Sequence, residues 1–376
     1  MEHKKLGDIA TYVNGYAFKP EDRGTKGLPI IRIQDLTGNS YDLGFYNGEH
    51  PKKIELNNGD ILISWSASLG VYEWNRGKAL LNQHIFKAVF DKLDVNKKYF
   101  VFAVKYNLKE MEKRTHGATM KHITKKDFDN VLVPFPPLNK QQEIAATLDK
   151  LQSIITHRRT QLEKLDLLVK ARFVEMFGEP ILNEKGWNMV TIGDIVTEVK
   201  YGTSKPAVEG GKYPYLRMNN LTYDGHLDLT NLKMIDIPDS EIEKCIVHRG
   251  DVLFNRTNSI ELVGKTCVFD KDEDMVIAGY IIRVRLKSIM LPIVLSYFMN
   301  TDALKKKLRN MAKGAVNQAN INAQEFKSIN IYLPPIELQT QFADFVKQVD
   351  KSRVAIQNDL EQAQMLFDSL MQEYFG

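Results

Sequence analysis

The stretch VPFPPLNKQQEIAATL at residues 133–148 leads from a β-type run, through two adjacent prolines, into a helical pattern. Nearly the same order of features recurs in YLPPIELQTQFADFV at residues 332–346. The proline pairs begin at Pro136 and Pro334, so the repeat distance is slightly more than half of the 376 residues. A repeat at this distance indicates that the chain consists of two related halves.

Further pairs of segments repeat in the same order along the chain. They are KLGDIATYVNGYAF (5–18) with TIGDIVTEVKYGTS (191–204), PIIRIQDLT (29–37) with PYLRMNNLT (214–222), NNGDILIS (57–64) with HRGDVLFN (248–255), NQHIFKAVF (82–90) with AGYIIRVRL (278–286), and GATMKHI (117–123) with GAVNQANI (314–321). So many matches in register would not arise by chance, so an internal duplication is predicted. Both halves begin with short β-type runs separated by Gly, Asn, Asp and Pro, which predicts an α+β fold with one mixed α/β domain in each half.

Each proline pair is followed by a long pattern of apolar residues at alternating steps of three and four. The predicted interface positions are Ile144, Leu148, Leu151, Ile155, Leu162, Leu165 and Val169 in the first half, and Phe342, Val346, Val349, Ile356, Leu360, Phe367 and Leu370 in the second. Because the pattern continues for more than four heptads, it predicts two coiled-coil helices. A helix of about 40 residues is roughly 60 Å long and cannot bury such a seam alone.

The partner of each helix is predicted to be its own duplicate. We expect an antiparallel coiled coil with pseudo-two-fold symmetry, because two bulky domains need separate space. Parallel pairing, and packing of each helix onto its own domain, are the alternatives. At the start of the first helix, Asn139 is predicted to act as the N-cap with Gln142 as its partner. The predicted boundaries are residues 1–135 and 181–333 for the two domains, and residues 136–180 and 334–376 for the two helices.

The sequence lacks the usual signatures of catalysis. Residues 259–266, SIELVGKT, end like a phosphate-binding loop, but they begin with Ser259 and are followed by a β-type run. The Pro-Pro pairs lack the residues that flank this dipeptide in DNA amino-methyltransferases. No histidine stands at metal-ligand spacing from a cysteine or another histidine, so no metal site is predicted. We therefore expect a binding protein without catalytic residues.

Composition limits the function classes further. Apolar residues make up 43% and charged residues 26% of the chain, as in ordinary folded proteins, and the net charge of +4 permits nucleic-acid binding without requiring it. Cys245 and Cys267 are too few for a disulfide scaffold or a zinc cluster. The start of the chain lacks the apolar run of a signal peptide, and no segment approaches the roughly 20 apolar residues that a bilayer needs. A cytoplasmic location without membrane contact is expected.

Polar loops follow the same predicted strand in both halves, SWSASLG at 64–70 and NRTNSIELVGK at 255–265. Two later segments, KRTHGATMKH at 113–122 and RNMAKGAVNQAN at 309–320, mix basic, amide and hydroxyl side chains, which suit phosphates and base edges. The alternative is that Asn, Ser and Gly in these loops only stabilise turns. The candidate DNA-contacting residues are Ser64, Trp65, Ser66, Ser68, Asn82, Gln83, His84, Arg114, His116, Thr119, Lys121, His122, Lys205, Arg217, Asn219, Asn255, Arg256, Asn258, Lys265, Lys313, Asn317, Gln318 and Asn320.

With these features in place, the chain resembles the DNA-specificity (S) subunits of type I restriction–modification systems. The resemblance rests on GDIL and GDVL after IRIQDLT and LRMNNLT, on NQHI, and on GATMKHI and GAVNQANI followed by the Pro-Pro helix entry. It covers nearly the whole chain. The second half has AGY where the first has Asn82, Gln83 and His84, so contacts assigned to these three residues do not transfer to it.

The resemblance implies that each domain is a target-recognition domain for one half of a bipartite sequence in double-stranded DNA, and that the helices form the spacer that sets the gap. It also implies that modification subunits dock on the helices and that restriction subunits join them. S-adenosylmethionine, ATP and Mg would belong to these partners, and this chain would bind no cofactor. Two other classes stay open: a coiled-coil scaffold whose domains bind proteins, and a free-standing nuclease or methyltransferase with a diverged site.

Overall fold

The computed structural model describes residues 2–39, 42–114, 124–315 and 318–376, with the backbone alone for residues 112–114 and 313–315. The chain divides into two compact units. Unit 1 comprises Met1–Thr160 and Gln357–Gly376, and unit 2 comprises Gln161–Ile356. Each unit therefore combines a β-rich domain with a part of each long helix.

Unit 1 is built on two four-stranded sheets and a separate strand pair. Its strands are β1 (His3–Lys5), β2 (Thr11–Asn14), β3 (Leu28–Ile31), β4 (Phe45–Tyr46), β5 (Glu55–Leu56), β6 (Asp60–Ser64), β7 (Gly70–Trp74), β8 (Ala79–Leu81), β9 (Ile85–Val89) and β10 (Leu132–Pro134). Its shorter helices are α1 (Leu6–Ile9), α2 (Ile33–Thr37), α3 (Lys97–Arg114) and α4 (Lys125–Asp129), with 3-10 turns at Pro20–Asp22 and Lys52–Ile54. One sheet has the order β2-β9-β6-β7, the second has β4-β3-β8-β5 with β3 and β8 parallel, and β1 pairs with β10.

Unit 2 repeats this plan after the first long helix, α5 (Leu138–Phe177). Its strands are β11 (Asn188–Thr191), β12 (Val196–Tyr201), β13 (Tyr213–Leu216), β14 (Lys233–Ile235), β15 (Ile246–Val247), β16 (Val252–Asn255), β17 (Thr257–Asn258), β18 (Thr266–Val268), β19 (Met275–Ile277), β20 (Ile281–Leu286), β21 (Lys313–Ala315), β22 (Gln318–Asn320) and β23 (Asn330–Leu333). Its helices are α6 (Ile192–Ile195), α7 (Asp239–Cys245), α8 (Pro292–Met299), α9 (Asp302–Met311), α10 (Ala323–Lys327) and the second long helix α11 (Ile336–Phe375), with a 3-10 turn at Met218–Asn220.

The two units have matching sheets, which confirms the predicted α+β fold and internal duplication. The order β12-β20-β16-β18 corresponds to β2-β9-β6-β7, and β14-β13-β19-β15 corresponds to β4-β3-β8-β5, again with a parallel central pair. The repeated glycine after the first sheet strand has the same steric reason in both. A Cβ on Gly15 would lie 2.0 Å from the Asn82 carbonyl oxygen, and one on Gly202 would lie 2.1 Å from the Ile277 carbonyl oxygen. Only glycine permits so close a passage of two backbones.

The proline pairs lead directly into the long helices, but the predicted cap is wrong. Helix α5 begins at Leu138, so Asn139 lies in its first turn, where its side chain is exposed. Gln141 is fully buried instead; its Nε2 donates to the Pro136 carbonyl at 2.9 Å and its Oε1 accepts from the Asn96 N–H at 3.0 Å. The glutamine thereby satisfies backbone groups that would otherwise be buried without partners.

Gln339 makes the same connection in unit 2. It is fully buried, its Nε2 donates to the Pro334 carbonyl at 2.9 Å, and its Oε1 accepts from the Leu291 N–H at 2.8 Å. A further bond of 3.0 Å joins its Nε2 to the Ile289 carbonyl. In each unit a buried glutamine therefore fixes the start of the long helix to the segment that precedes a domain helix, α3 or α8.

The long helices pair in antiparallel fashion, as predicted. In unit 1 Arg158 of α5 forms an ion pair of 2.9 Å with Asp359 of α11, and further along α5 in unit 2 Asp166 pairs with Arg353 at 2.6 Å. Still further along, the rings of Phe173 and Phe342 lie 5.5 Å apart. From Asp166–Arg353 to Phe173–Phe342 the residue numbers rise in α5 and fall in α11, which defines the antiparallel direction in unit 2.

The same helix surfaces also pack onto the domains, so the alternatives considered from the sequence are not exclusive. In unit 1 Ile144 and Leu148 of α5 lie in the same buried core as Phe100 of α3, and in unit 2 the ring of Phe342 of α11 lies 5.3 Å from that of Tyr297, so each helix contacts the domain of its own half. All of the predicted seam positions are buried or half-buried. The sequence pattern did not identify four further buried residues: Phe173, Phe177, Met371 and Phe375.

Candidate nucleic-acid interface

In unit 2 the structure joins two loop segments that the sequence presented separately. The segment after β16 forms β17, whose residues Thr257 and Asn258 pair with Asn320 and Ala319 of β22. Strand β22 pairs in turn with β21. The Thr257 hydroxyl donates to the Asn320 Oδ1 at 2.9 Å, which ties the two segments together through side chains as well. The segment that includes Arg256 therefore adjoins the hairpin that includes Gln318, whose side chain is exposed.

Several polar candidates in unit 2 hold the loops in place. Asn255 is fully buried; its Nδ2 donates to the carbonyls of Thr257 and Tyr280, each at 3.1 Å, and its Oδ1 accepts from Asn258 at 2.8 Å. Lys265 is buried, its Nζ donates to the Met218 carbonyl at 2.6 Å, and burial lowers its pKa. These contacts give Asn255 and Lys265 a positioning role, because neither side chain faces solvent.

Four other candidates of unit 2 border one open cavity of about 520 Å³: Lys205, Arg217, Asn219 and Arg256. Two tyrosines that the sequence analysis did not select, Tyr215 and Tyr280, also line it. The Arg256 guanidinium lies over the ring of Tyr201 with its central carbon 4.8 Å from the ring centre. A basic concave surface with aromatic walls has the chemistry that base edges and phosphates require.

The corresponding loop of unit 1 carries different side chains. Ser64 is buried and its hydroxyl donates to the Ser68 carbonyl at 2.5 Å, so it closes the turn between β6 and β7. Trp65 is half-buried, with its ring 5.0 Å from that of His84 and 5.5 Å from that of Phe86. His84 is exposed and has a φ of 71°, a left-handed conformation that is uncommon outside glycine.

The remaining candidates of unit 1 are spread over the same region. Asn82 is buried, Gln83 and Ser66 are half-buried, and Ser68 is exposed. His116, Thr119, Lys121, His122 and Asn317 lie outside the described residues, and the side chains of Arg114 and Lys313 are not described. The structure thus groups Trp65 with His84 in unit 1, and Arg256 with Arg217 in unit 2.

The sequence contained partial signals for the residues that it did not identify. Tyr201 precedes the repeated Gly202, and Tyr280 stands where the second half departs from the NQH of the first. The sequence does not show that the Tyr201 ring lies beneath Arg256. It also does not show that Tyr280 borders the same cavity as Arg256. Within the ranges that the structure describes, no group of three or more His, Cys, Asp or Glu side chains is placed to hold a metal ion. None of the described helices is long and apolar enough to cross a membrane.

The duplicated domains, the paired helices and the basic cavity of unit 2 are features expected of a two-domain nucleic-acid recognition protein. Residues 1–165 and 184–363 each match the family described as the type I restriction modification DNA specificity domain. Because these matches cover most of the chain, the protein belongs to this family. The two matched regions fall one in each half, in agreement with the duplication.

Curated relatives and solved structures agree with this assignment. The chain is 24% identical to the EcoBI specificity subunit of Escherichia coli over 98% of its length and 84% of the relative. It is 25% identical to the EcoKI specificity subunit of Escherichia coli strain K12, with 98% and 87% covered. Its fold matches the S subunit of a type I restriction–modification system from M. genitalium with a TM-score of 0.59 at 15% identity, covering all of this chain and 96% of the other.

Proposed function

We propose that this chain is the DNA-reading subunit of a type I restriction–modification complex, in which each unit reads one half of a bipartite target. The observation that carries the proposal is the occurrence of one specificity-domain match in each half. The structure supports the proposal because a polar loop follows the equivalent sheet strand in each unit, β6 in unit 1 and β16 in unit 2. We assign the reading domains to residues 1–135 and 181–333, and the helical segments to residues 136–180 and 334–376.

The long helices act, in this proposal, as the spacer that sets the unread gap between the half-sites. Helices α5 and α11 have 40 residues each without interruption. They pair through apolar seams and through two ion pairs, Arg158 with Asp359 and Asp166 with Arg353. A rigid helix pair fixes a distance, whereas a flexible linker would allow a range of gaps.

We assign the docking of modification subunits to the outer surfaces of the helices. An exposed apolar pair occurs on α5, Leu167 and Leu168, and the same repeat positions on α11 hold Met365 and Leu366, all four being 48–64% exposed. Apolar side chains that lie outside the seam at equivalent positions of both helices suit two copies of one partner. In this assignment, S-adenosylmethionine, ATP and Mg bind to modification and restriction subunits, and this chain contributes recognition without catalysis.

The experiment that tests the function is a selection of bound sequences from random double-stranded DNA, with the full-length chain and with the complex that it forms. We expect a bipartite motif with a fixed gap, and an affinity that falls steeply with salt because phosphate contacts release counterions. Enrichment of a single uninterrupted motif would contradict the assignment of one half-site to each unit. Absence of DNA binding at low salt would favour a protein-binding scaffold.

The spacer is tested by shortening both helices where they face each other. Deletion of residues 158–164 together with residues 354–360 removes one heptad from each helix, including both members of the Arg158–Asp359 pair. The seam stays in frame, and the helix pair becomes shorter by roughly 10 Å, about three base pairs. We expect the same half-sites with a shorter gap in the selected motif. Unchanged spacing, or new half-site sequences, would contradict the spacer assignment; deletion of seven residues from one helix alone is the control that should disrupt pairing.

A further inference from the structure

The cavity in unit 2 is bordered by two arginines whose charge is not neutralised within the described part of the chain. The Arg256 Nη1 donates only a long bond of 3.4 Å to the Gly279 carbonyl, and the Arg217 Nη2 donates one of 3.4 Å to the Asn231 carbonyl. The Nε atom of each is buried and has no hydrogen-bond partner among the residues that the structure describes. Neither guanidinium has a carboxylate partner among the described residues, so this place favours an external acceptor that binds the terminal Nη groups.

In unit 1 the arginine at the repeat position of Arg217 is neutralised by a carboxylate. Arg32 occupies the repeat position of Arg217, and its Nε donates to the Asp35 Oδ2 at 3.1 Å, with both residues buried. In unit 2 the position of Asp35 is occupied by Asn220. Asn220 retains only the backbone contact: its Oδ1 accepts from the Arg217 N–H at 2.9 Å, as Asp35 accepts from the Arg32 N–H at 2.8 Å.

The exchange of aspartate for asparagine therefore keeps the turn and removes the counter-charge. The second difference is at the start of the loop, where unit 1 has Trp65 against His84 and unit 2 has Arg256 beside Tyr280. Lys205, the third cation at the cavity, is paired with Glu241 at 3.1 Å. The positive charge that is available to a ligand is thus concentrated at Arg217 and Arg256.

We propose that unit 2 reads a guanine through this cavity, with the Arg256 guanidinium as the group that recognises the O6 and N7 acceptors. The inference rests on the proposed function and adds the identity of a base and of the residue that selects it. The guanidinium carbon lies 4.8 Å from the centre of the Tyr201 ring, so the aromatic ring holds the charged group at the border of the cavity. A bidentate arginine–guanine pair is the commonest specific contact in that groove. Trp65 has no comparable donor fork, so unit 1 reads a different base at the equivalent place.

The test uses the full-length chain and the duplex selected as described above. Each guanine of the selected half-sites is replaced in turn by 7-deazaguanine, which lacks the N7 acceptor, and dissociation constants are compared. We expect one guanine, in the half-site of unit 2, whose replacement weakens binding several-fold, and by less than the roughly 150-fold upper value of a whole bidentate pair, because O6 stays in place. In Arg256→Ala the same replacement should have no further effect, because the partner of N7 is already gone.

Two variants separate base reading from a phosphate contact. Arg256→Lys keeps the charge and loses the planar fork, so it should weaken the guanine preference while the salt dependence of binding stays near that of the parent chain. Arg249→Ala is the matched control, since Arg249 lies outside the cavity lining and pairs with Asp272 at 2.7 Å; it should keep the preference. Thermal unfolding of all variants checks that they fold.

The outcomes are distinct. If Arg256→Lys binds and selects as the parent chain does, and Arg256→Ala weakens all duplexes equally, the residue contacts a phosphate and the inference is wrong. If the parent chain binds DNA but no 7-deazaguanine position matters, the guanine assignment fails while the proposed function stands. If the parent chain and its complex bind no DNA, the proposed function fails first and this inference with it.

Discussion

Units 1 and 2 share their two four-stranded sheets and differ at their loops. Both have the same sheet orders, a glycine where two backbones meet, and a buried glutamine, Gln141 or Gln339, at the start of a long helix. They differ where Trp65 of one unit corresponds to Arg256 of the other. The repeated residues are those whose side chains satisfy the backbone of the scaffold. The differing ones border solvent, where a new side chain changes what is bound without disturbing the fold.

The units also differ in how polar their interiors are. Arg353 stands at the repeat position of Ile155, so unit 2 places an ion pair with Asp166 where unit 1 has a buried isoleucine. Counting back from the repeated Gly-Ala, Lys305 stands at the position of Leu108, and both side chains are buried. Burying charge costs more than burying a hydrocarbon side chain. At these two positions unit 2 thus has charged side chains, Arg353 and Lys305, where unit 1 has apolar ones, Ile155 and Leu108.

The largest effects should come from the seam residues that both units share as buried apolar positions. Phe342 is fully buried, with its ring 5.4 Å from that of Phe177, and it occupies the repeat position of Ile144. We expect Phe342→Ala to lower the free energy of unfolding by about 3–5 kcal/mol and Ile144→Ala by about 2–5 kcal/mol. Urea unfolding measures the loss of unfolding free energy, and hydrogen exchange resolved by peptide shows which unit opens.

Leu366→Ala is the control for these substitutions, because this side chain on α11 is 50% exposed. It should change stability by no more than about 0.5 kcal/mol. A loss as large as that of Phe342→Ala would mean that the outer surface of the helix, and not the seam, stabilises the chain.

An intermediate effect should follow from removing either buried glutamine. Gln339→Leu leaves the Leu291 N–H and the Pro334 carbonyl without the partners that they have now, and should cost about 1–3 kcal/mol. The loss of unfolding free energy in Gln141→Leu should be no larger than that in Gln339→Leu. Gln141 lacks the third hydrogen bond, which joins Gln339 to Ile289. Thermal and urea unfolding measure both.

Two nearby glutamines provide matched controls, since Gln142 and Gln341 are exposed near the starts of the same helices. Their leucine variants should be close to neutral. Equal losses for the buried and the exposed substitutions would show that the hydrogen bonds do not stabilise the helix entry.

The smallest effect should be the pH dependence that Lys305 gives unit 2 at the position where unit 1 has Leu108. Burial, with the nearby Lys170 as a smaller cause, lowers the pKa of Lys305 from 10.5 to about 8. Between these values the unfolded chain holds a proton that the folded chain has released, so stability rises with pH in this window. Relative to Lys305→Leu, the parent chain should gain roughly 1 kcal/mol per pH unit at most between about pH 8 and pH 9.5.

Denaturant unfolding at several pH values checks this slope. Below about pH 8 both states hold the proton, so the difference between the parent chain and the variant should be constant there. Leu108→Ala in unit 1 is the control, because it removes packing at the repeat position without removing a titratable group. A pH-independent difference for Lys305→Leu would show that Lys305 titrates normally in the folded chain.

The sequence predicted the fold well where the signal is periodic or repeated. The heptad pattern predicted two long helices, and the repeat predicted matching sheets, because spacing along one chain is a local property. The same local reasoning failed at the helix start. Asn139 has the right type for a cap, yet the prolines place it inside the first turn, and Gln141 fixes the entry through the distant Asn96.

The candidate site was predictable only in part. The loop after β16 and the later segment that forms β21 and β22 were identified from their composition, but their union in one sheet depends on pairing between residues some sixty positions apart. Asn255 had the right chemistry for base contacts, whereas its burial and three hydrogen bonds assign it to loop structure. Residue type indicates what a side chain can bond, and only packing decides what it does bond.

By itself the sequence determined that the chain is duplicated, that each half has a mixed α/β domain, and that each domain is followed by a helix with one apolar seam. Tertiary structure decided that each unit takes helix segments from both halves, and that the loop after β16 pairs with the distant strand β22. The physical reason is range. Periodicity and turn chemistry act over a few residues, whereas strand pairing and seam partners depend on contacts between distant parts of the chain.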